Sequence, residues 1–182
     1  MRIVKYVLLL LLLILIGLSV YVATQPGEYE VERSRIIKAQ RAVVFNYVND
    51  YKNWEDFSSW KDEDPQMAFA YPDTTIGKGA SYSWKGKYIE GTAKTTFEKE
   101  NDSIAQKTNL SGNEGTAYLT FKDVSGGTKI TWHSKGKLNF MAKAFAVLKG
   151  GASQMVGDMQ EKTLEKLDKI ITYEMNTYSV KV

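Results

Sequence analysis

Between Ala80 and Lys135 the chain repeatedly alternates apolar and polar side chains, and this period of two leaves few architectures open. Ala80, Tyr82 and Trp84 alternate with Ser81, Ser83 and Lys85; Ala93, Thr95 and Phe97 alternate with Lys94, Thr96 and Glu98. Ile104, Gln106, Thr108 and Leu110 form the next inward set, Ala117, Leu119 and Phe121 another, and Ile130, Trp132 and Ser134 the last. Gly86, Asn101–Asp102, Gly112–Asn113 and Gly126–Gly127 fall between these segments and supply turn chemistry. The pattern predicts an antiparallel meander with one face buried and one wet.

Upstream, Tyr29 to Ile37 is rich in β-branched residues and reads as a strand. Arg41 to Val48 has helical spacing, Lys52 to Ser59 reads as a second short helix, Lys61 to Pro65 as an acidic turn, and Gln66 to Tyr71 as a further strand. Downstream, Asn139 to Leu148 looks helical and is broken by Gly150–Gly151. From Ala152 to about Thr172, Met155, Val156, Met159, Thr163, Leu164, Leu167, Ile170 and Ile171 recur at three- and four-residue steps, the mark of a long amphipathic helix. Residues 173–182 carry no clear stripe and read as a tail. A sheet with one apolar face needs a cover, and the long helix has a stripe to match it. The predicted class is α+β: a curved antiparallel sheet wrapped around a long C-terminal helix.

The N-terminal segment obeys different rules. Tyr6 to Ala23 has no charge and is almost entirely Leu, Ile and Val. As a helix it spans roughly 27 Å, close to the hydrocarbon thickness of about 30 Å. Arg2 and Lys5 precede it, and Thr24 to Gly27 followed by Glu28 succeed it. Positive charge stays on the cytoplasmic side, which predicts a single-pass anchor over residues 1–24 with the N-terminus inside. A cleaved signal peptide is the alternative, but the run is longer than its usual apolar core and Tyr21-Val22-Ala23 is a poor small-x-small site. Residues 25–27 then form a linker, 28–172 the domain and 173–182 the tail. The expected location is a bacterial inner membrane, with the domain on the extracytoplasmic side.

Several matches, in order, resemble a known family. Val31-Glu32-Arg33-Ser34 with Ala39 and Val44-Phe45 looks like its opening strand and helix. Trp54, Phe57, Ser58 and Trp60 before Asp64-Pro65 resemble its tryptophan-and-serine segment. Gly77 to Gly86 resembles its glycine-flanked strand, Gly127 to Trp132 its last strand, and Met155-Val156-Gly157 with Leu164 and Leu167 its closing helix. Together they resemble the START-like, or SRPBCC, superfamily in its polyketide cyclase/dehydrase-like bacterial branch. Two features depart from it: Gln40 replaces the proline common at the first helix start, and the tail looks like the beginning of an extension that stops. The resemblance implies a helix-grip (START-like) fold. It also implies a cavity for a hydrophobic small molecule or lipid.

Trp60, Tyr82, Trp84, Phe97, Gln106, Thr108, Leu119, Phe121, Trp132, Met155 and Met159 are the candidate ligand-binding residues, the aromatic set for contact and the polar members for orientation. Packing as an ordinary core is the competing role. Met141, Met155 and Met159 suit core filling on a helix, and Trp54 with Trp60 could frame a mouth. His133, the sole histidine, falls on the face opposite Trp132 and is expected in solvent between Lys129 and Lys135. Without cysteine, thiolate catalysis, thiolate metal sites and disulfides are excluded. No catalytic residue, metal or cofactor is expected, and no phosphate-cradling loop or nucleophile elbow is present. Lys and Arg total 24 against 21 acids, and two of the bases are Arg2 and Lys5, so nucleic-acid binding is not expected. Non-catalytic binding of a lipid-like molecule leads. A cyclase or dehydratase acting through Tyr82, and an envelope module that senses or binds an unidentified protein partner, are the alternatives.

Overall fold

The computed structural model describes residues 2–179, with side-chain surroundings for residues 3–175. Helix α1 (Arg2–Thr24) is followed by strand β1 (Glu28–Ile37), α2 (Arg41–Asn49), a 3-10 turn over Tyr51–Asn53, and the single-turn helices α3 (Trp54–Phe57) and α4 (Trp60–Glu63). Strands β2 (Ala68–Ala70), β3 (Ser81–Lys85), β4 (Glu90–Lys99), β5 (Ser103–Leu110), β6 (Asn113–Val124) and β7 (Gly127–Lys137) follow, then α5 (Phe140–Leu148) and α6 (Ala152–Ser179). The seven strands form one antiparallel sheet in the order β1-β7-β6-β5-β4-β3-β2. β1 closes against the last strand, so the N-terminal strand returns beside the C-terminal end of the meander.

Long helix α6 packs on this sheet, most extensively along β1. Gln160, Thr163, Leu164, Leu167 and Ile171 are its buried side chains, spaced by three, four and seven residues as one helical face. Burying a side chain the size of Leu167 contributes about 2 kcal/mol. α2 adds Val44, Phe45 and Val48 to the same core, and Phe45 meets Phe121 edge-on with ring centres 5.3 Å apart. The chain is therefore α+β with a helix-grip architecture, as the patterning predicts.

Four local expectations are corrected. The long helix runs on to Ser179 through much of the expected tail, because no glycine or proline follows Ile171 to stop it; residues 180–182 lie outside the described residues. The acidic turn after Ser59 is helix α4. Phe97 points outward, 47% exposed, because the β4–β5 register shifts between Thr95 and Phe97. The extra residue of that β-bulge inverts the alternation beyond it. Met141 is no core filler: it is 74% exposed on α5. His133 does leave the core, but it is half-buried and bonded to Glu30 at 2.9 Å across β1 and β7.

Candidate hydrophobic-ligand site

Beneath α6, a cavity of about 120 Å³ remains between helix and sheet. Its walls come from α3 and α4 (Trp54, Ser58, Trp60), from the inner sheet face (Tyr82, Trp84, Ala93, Gln106, Ala117, Trp132, Ser134) and from α6 (Met155, Met159, Thr163). Of the predicted residues, Trp60, Tyr82, Trp84, Gln106, Thr108, Trp132, Met155 and Met159 line it. Leu119 and Phe121 are 1% exposed and pack as core, one and two register steps deeper than Ala117. Phe97 faces the other way. Trp54, Ser58, Ala93, Ala117 and Thr163 belong to the wall and were not in the predicted set. In the sequence Trp54 reads as packing or as part of a mouth with Trp60, and Thr163 as packing; Ala93 and Ala117 carry too little side chain to announce a site.

Small side chains create the space. Ala93 lies opposite Thr108, and Ala117 lies between Gln106 and Ser134 across the sheet. Further toward the strand ends, the Tyr29 hydroxyl lies over Gly115 and Gly136, where a Cβ would come within 2.9 and 2.7 Å of it. Gly91 likewise accommodates the ring of Trp84, whose Cε2 would be 2.6 Å from an added Cβ. The aromatic wall is continuous: Tyr51 stacks on Tyr82 at 4.6 Å, Tyr82 packs on Trp84 at 5.0 Å, and Trp54 meets Trp132 edge-on at 5.6 Å.

Helices α3 and α4 are pinned to α6 by the two serines between them. The Thr163 hydroxyl donates to Ser59 Oγ at 3.0 Å, Ser59 Oγ donates to the Met159 carbonyl at 3.3 Å, and Lys166 Nζ donates to the Ser58 carbonyl at 3.1 Å. These bonds hold Trp54 and Trp60 against the sheet.

Asp, Glu, Lys, Arg and His are absent from the residues lining the cavity. Its polar points are neutral, and not all are paired. Trp54 Nε1 donates to the Val48 carbonyl at 2.8 Å, whereas Trp84 Nε1 and Trp132 Nε1 are buried with no partner. Gln160, behind Ser134, donates to its hydroxyl at 2.9 Å and leaves its own Oε1 unpaired. The phenols stay protonated. Burial pushes Tyr51 up to about 12, and burial, then the neighbouring Tyr51 and Tyr71, raise Tyr82 well above its ordinary range. Among the described residues no group of three or more metal-ligating side chains occurs.

A second space adjoins the cavity. A groove of about 430 Å³ is lined by Tyr88 and Ile89, by Met141, Ala142 and Phe145 of α5, and by Glu63 and Asp64 at its rim. Trp60, Leu110, Asn113 and Met155 belong to both walls, so the two spaces are neighbours. The inner space alone falls below the about 300 Å³ at which small-ligand sites begin, and the neighbouring groove lies within that range. A trough on the outer sheet face, with Lys94, Lys107 and Lys135 among Glu28, Glu30 and Glu114, is open and mixed in charge.

The family model described as polyketide cyclase / dehydrase and lipid transport matches residues 28–172. No curated protein is a significant match. Among solved structures, a Chromobacterium violaceum protein has a TM-score of 0.60 at 9% identity, covering 78% of this chain and 96% of that one. A Rhizobium leguminosarum protein has a TM-score of 0.56 at 16% identity, covering 80% and 95%. Ara h 8.0201 has a TM-score of 0.56 at 11% identity, covering 81% and 99%. At such identities the likeness is one of fold.

Proposed function

Because the chain belongs to the polyketide cyclase/dehydrase and lipid-transport family, we propose that it binds one neutral hydrophobic molecule in the cavity beneath α6, without transforming it, while α1 holds it to a membrane. The observation that carries this reading is the uncharged aromatic wall. An ionised head group buried there would lose its hydration with no counter-charge to replace it. The guest is therefore apolar, with an acceptor oxygen such as a carbonyl to meet the unpaired indole N–H groups of Trp84 and Trp132. Ring closure or dehydration needs a proton donor and acceptor in the cavity, and phenols raised by burial serve poorly as bases at neutral pH.

α1 is long and apolar enough over Ile3–Thr24 to cross a membrane. Arg2 and Lys5 at its start favour an N-terminus in the cytoplasm and a domain, residues 28–172, on the outer side of a bacterial inner membrane. A tether of this kind raises the effective concentration of a membrane-dissolved guest. Native mass spectrometry of the full chain released from detergent tests the reading. The expected result is a population carrying one small neutral molecule; a chain extracted from its own membrane that is uniformly empty and takes up no neutral lipid would overturn it.

A further inference from the structure

We infer that α5 is an interfacial helix whose apolar face lies in the bilayer, so that the groove opens into the lipid and the guest enters sideways from the leaflet. The inference rests on the binding and anchoring reading above and adds a surface and a route. α5 is Phe-Met-Ala-Lys-Ala-Phe-Ala-Val-Leu, and a single charge interrupts it. Met141 and Leu148 are 74% and 82% exposed, and Phe140 and Phe145 are about half exposed. In water, such a face is an anomaly on a short helix that joins the last strand to α6.

The end of α1 says what covers it. Lys143, the one charge on α5, donates to the carbonyls of Ala23 and Gln25 at 3.0 and 3.2 Å, and so caps the C-terminus of α1. The connection is stitched as well as short, since Leu138 N–H donates to the Gly27 carbonyl at 2.8 Å. α1 and α5 pack together. The point where a membrane-crossing helix leaves the bilayer is therefore in contact with α5, whose charge turns toward that helix and whose apolar side chains stay uncovered. A short helix apolar on its free side, at the level of the lipid head groups, fits the acyl boundary.

Met141 and Phe145 on that same helix line the groove, and the groove meets the inner cavity at Met155 and Trp60. At the other side of the mouth, Asn113 Oδ1 accepts from the Asn139 N–H at 2.6 Å, which fixes the start of α5 on the β5–β6 turn. At its far end Gly150 and Gly151 have φ of 84° and 108°, a left-handed conformation that glycine adopts freely, so α5 is set at an angle to α6.

The chain has no cysteine, so single labels are clean. Met141→Cys, Leu148→Cys and, as a water-facing reference, Lys122→Cys are labelled with a polarity-sensitive fluorophore on the full chain in phosphatidylcholine vesicles. Labels at 141 and 148 are expected to be quenched by spin-labelled phospholipid and shielded from aqueous iodide, with the label at 122 behaving oppositely. Carbonate extraction of the labelled chains reports anchoring, and native mass spectrometry of the unlabelled parent chain in vesicles of the same lipid reports loading. An anchored, loaded chain whose 141 and 148 labels are quenched by iodide as fully as 122 overturns this inference and leaves the binding reading standing. A chain washed out by carbonate overturns both. Lipid-quenched labels at 148, with an unlabelled parent chain in the same lipid that never loads, support the surface and overturn the binding reading.

Discussion

Ala93→Leu separates a cavity from a filled core. Ala93 is 4% exposed, lines the inner space, and has Tyr82 and Thr108 as its cross-strand neighbours. Leucine adds three carbons. At about 0.8 kcal/mol per buried CH₂ they contribute at most about 2.4 kcal/mol where they enter open volume. Where they must displace neighbours, overpacking costs about 1–3 kcal/mol instead. The cavity, about 120 Å³, would hold about four waters at about 30 Å³ each, so three carbons fit and take up much of it. No hydrogen bond is lost, because an alanine methyl makes none. The expected outcome is a full-length chain, unfolded by urea in detergent micelles, that is unchanged or more stable by up to about 2 kcal/mol and retains no guest in native mass spectra. A loss of 1 kcal/mol or more, or guest retention equal to the parent chain, would refute the assignment of this space as the binding cavity.

Gly91→Ala is expected to destabilise by about 1–3 kcal/mol and to shift the tryptophan emission, because its methyl would strike Trp84 and the Asn109 carbonyl, at 2.7 Å, with little room to give. Gly157→Ala should do the reverse, raising the denaturation midpoint by up to about 1 kcal/mol of helix propensity, since the atoms it meets are the mobile guanidinium of Arg33. Trp132→Phe keeps an aromatic ring but removes an unpaired N–H; a carbonyl-bearing probe should bind about three- to tenfold more weakly, and a hydrocarbon probe about as before. Equal losses for both would show that the indole acts by shape alone. In alkali, Tyr51 has a folded pKa raised from 10.0 to about 12, so its contribution is complete below pH 10 and is lost as pH rises through 12. That contribution is about 2.7 kcal/mol. Urea midpoints should therefore fall across this window, together with a late rise in phenolate absorbance, and Tyr51→Phe should flatten the fall.

Strand positions from β3 to β7 could be read from alternation, because each inward side chain buries its bulk and each outward one keeps its charge in water. Phe97 was misplaced because nothing in Thr95-Thr96-Phe97 marks a bulge; two residues opposing one is a property of the pairing with Ala105 and Gln106. Periodicity also fails on α5, which is apolar nearly all round, so its stripe gave no sign of which side chains meet the domain; only Ala146 is buried there. A four-residue step puts Met155 and Met159 on one face of α6, but the wall opposite them is hidden in the sequence. The tryptophans stood out by size, while the alanines that make the room were silent.

Cross-strand register accounts for that room. One transverse row carries Thr95, Gln106, Ala117 and Ser134, small or slender side chains on four neighbouring strands. The next row deeper joins Ile104, Leu119 and Trp132, and the one below it joins Phe121 and Ile130. On β5 and β6 bulk thus increases in the same direction, from Thr108 and Gly115 through Gln106 and Ala117 to Ile104 and Leu119. A core selected only for packing would place its large residues without regard to this direction, since any row can be filled by suitable neighbours. Here the thin rows coincide with uncharged walls, two unpaired indole donors and an apolar groove leading outward past α5. Filling them would have required no more than leucine at 93 and 117, within reach of any aliphatic substitution. Their smallness is better explained by a guest that occupies the space than by a core left unfinished.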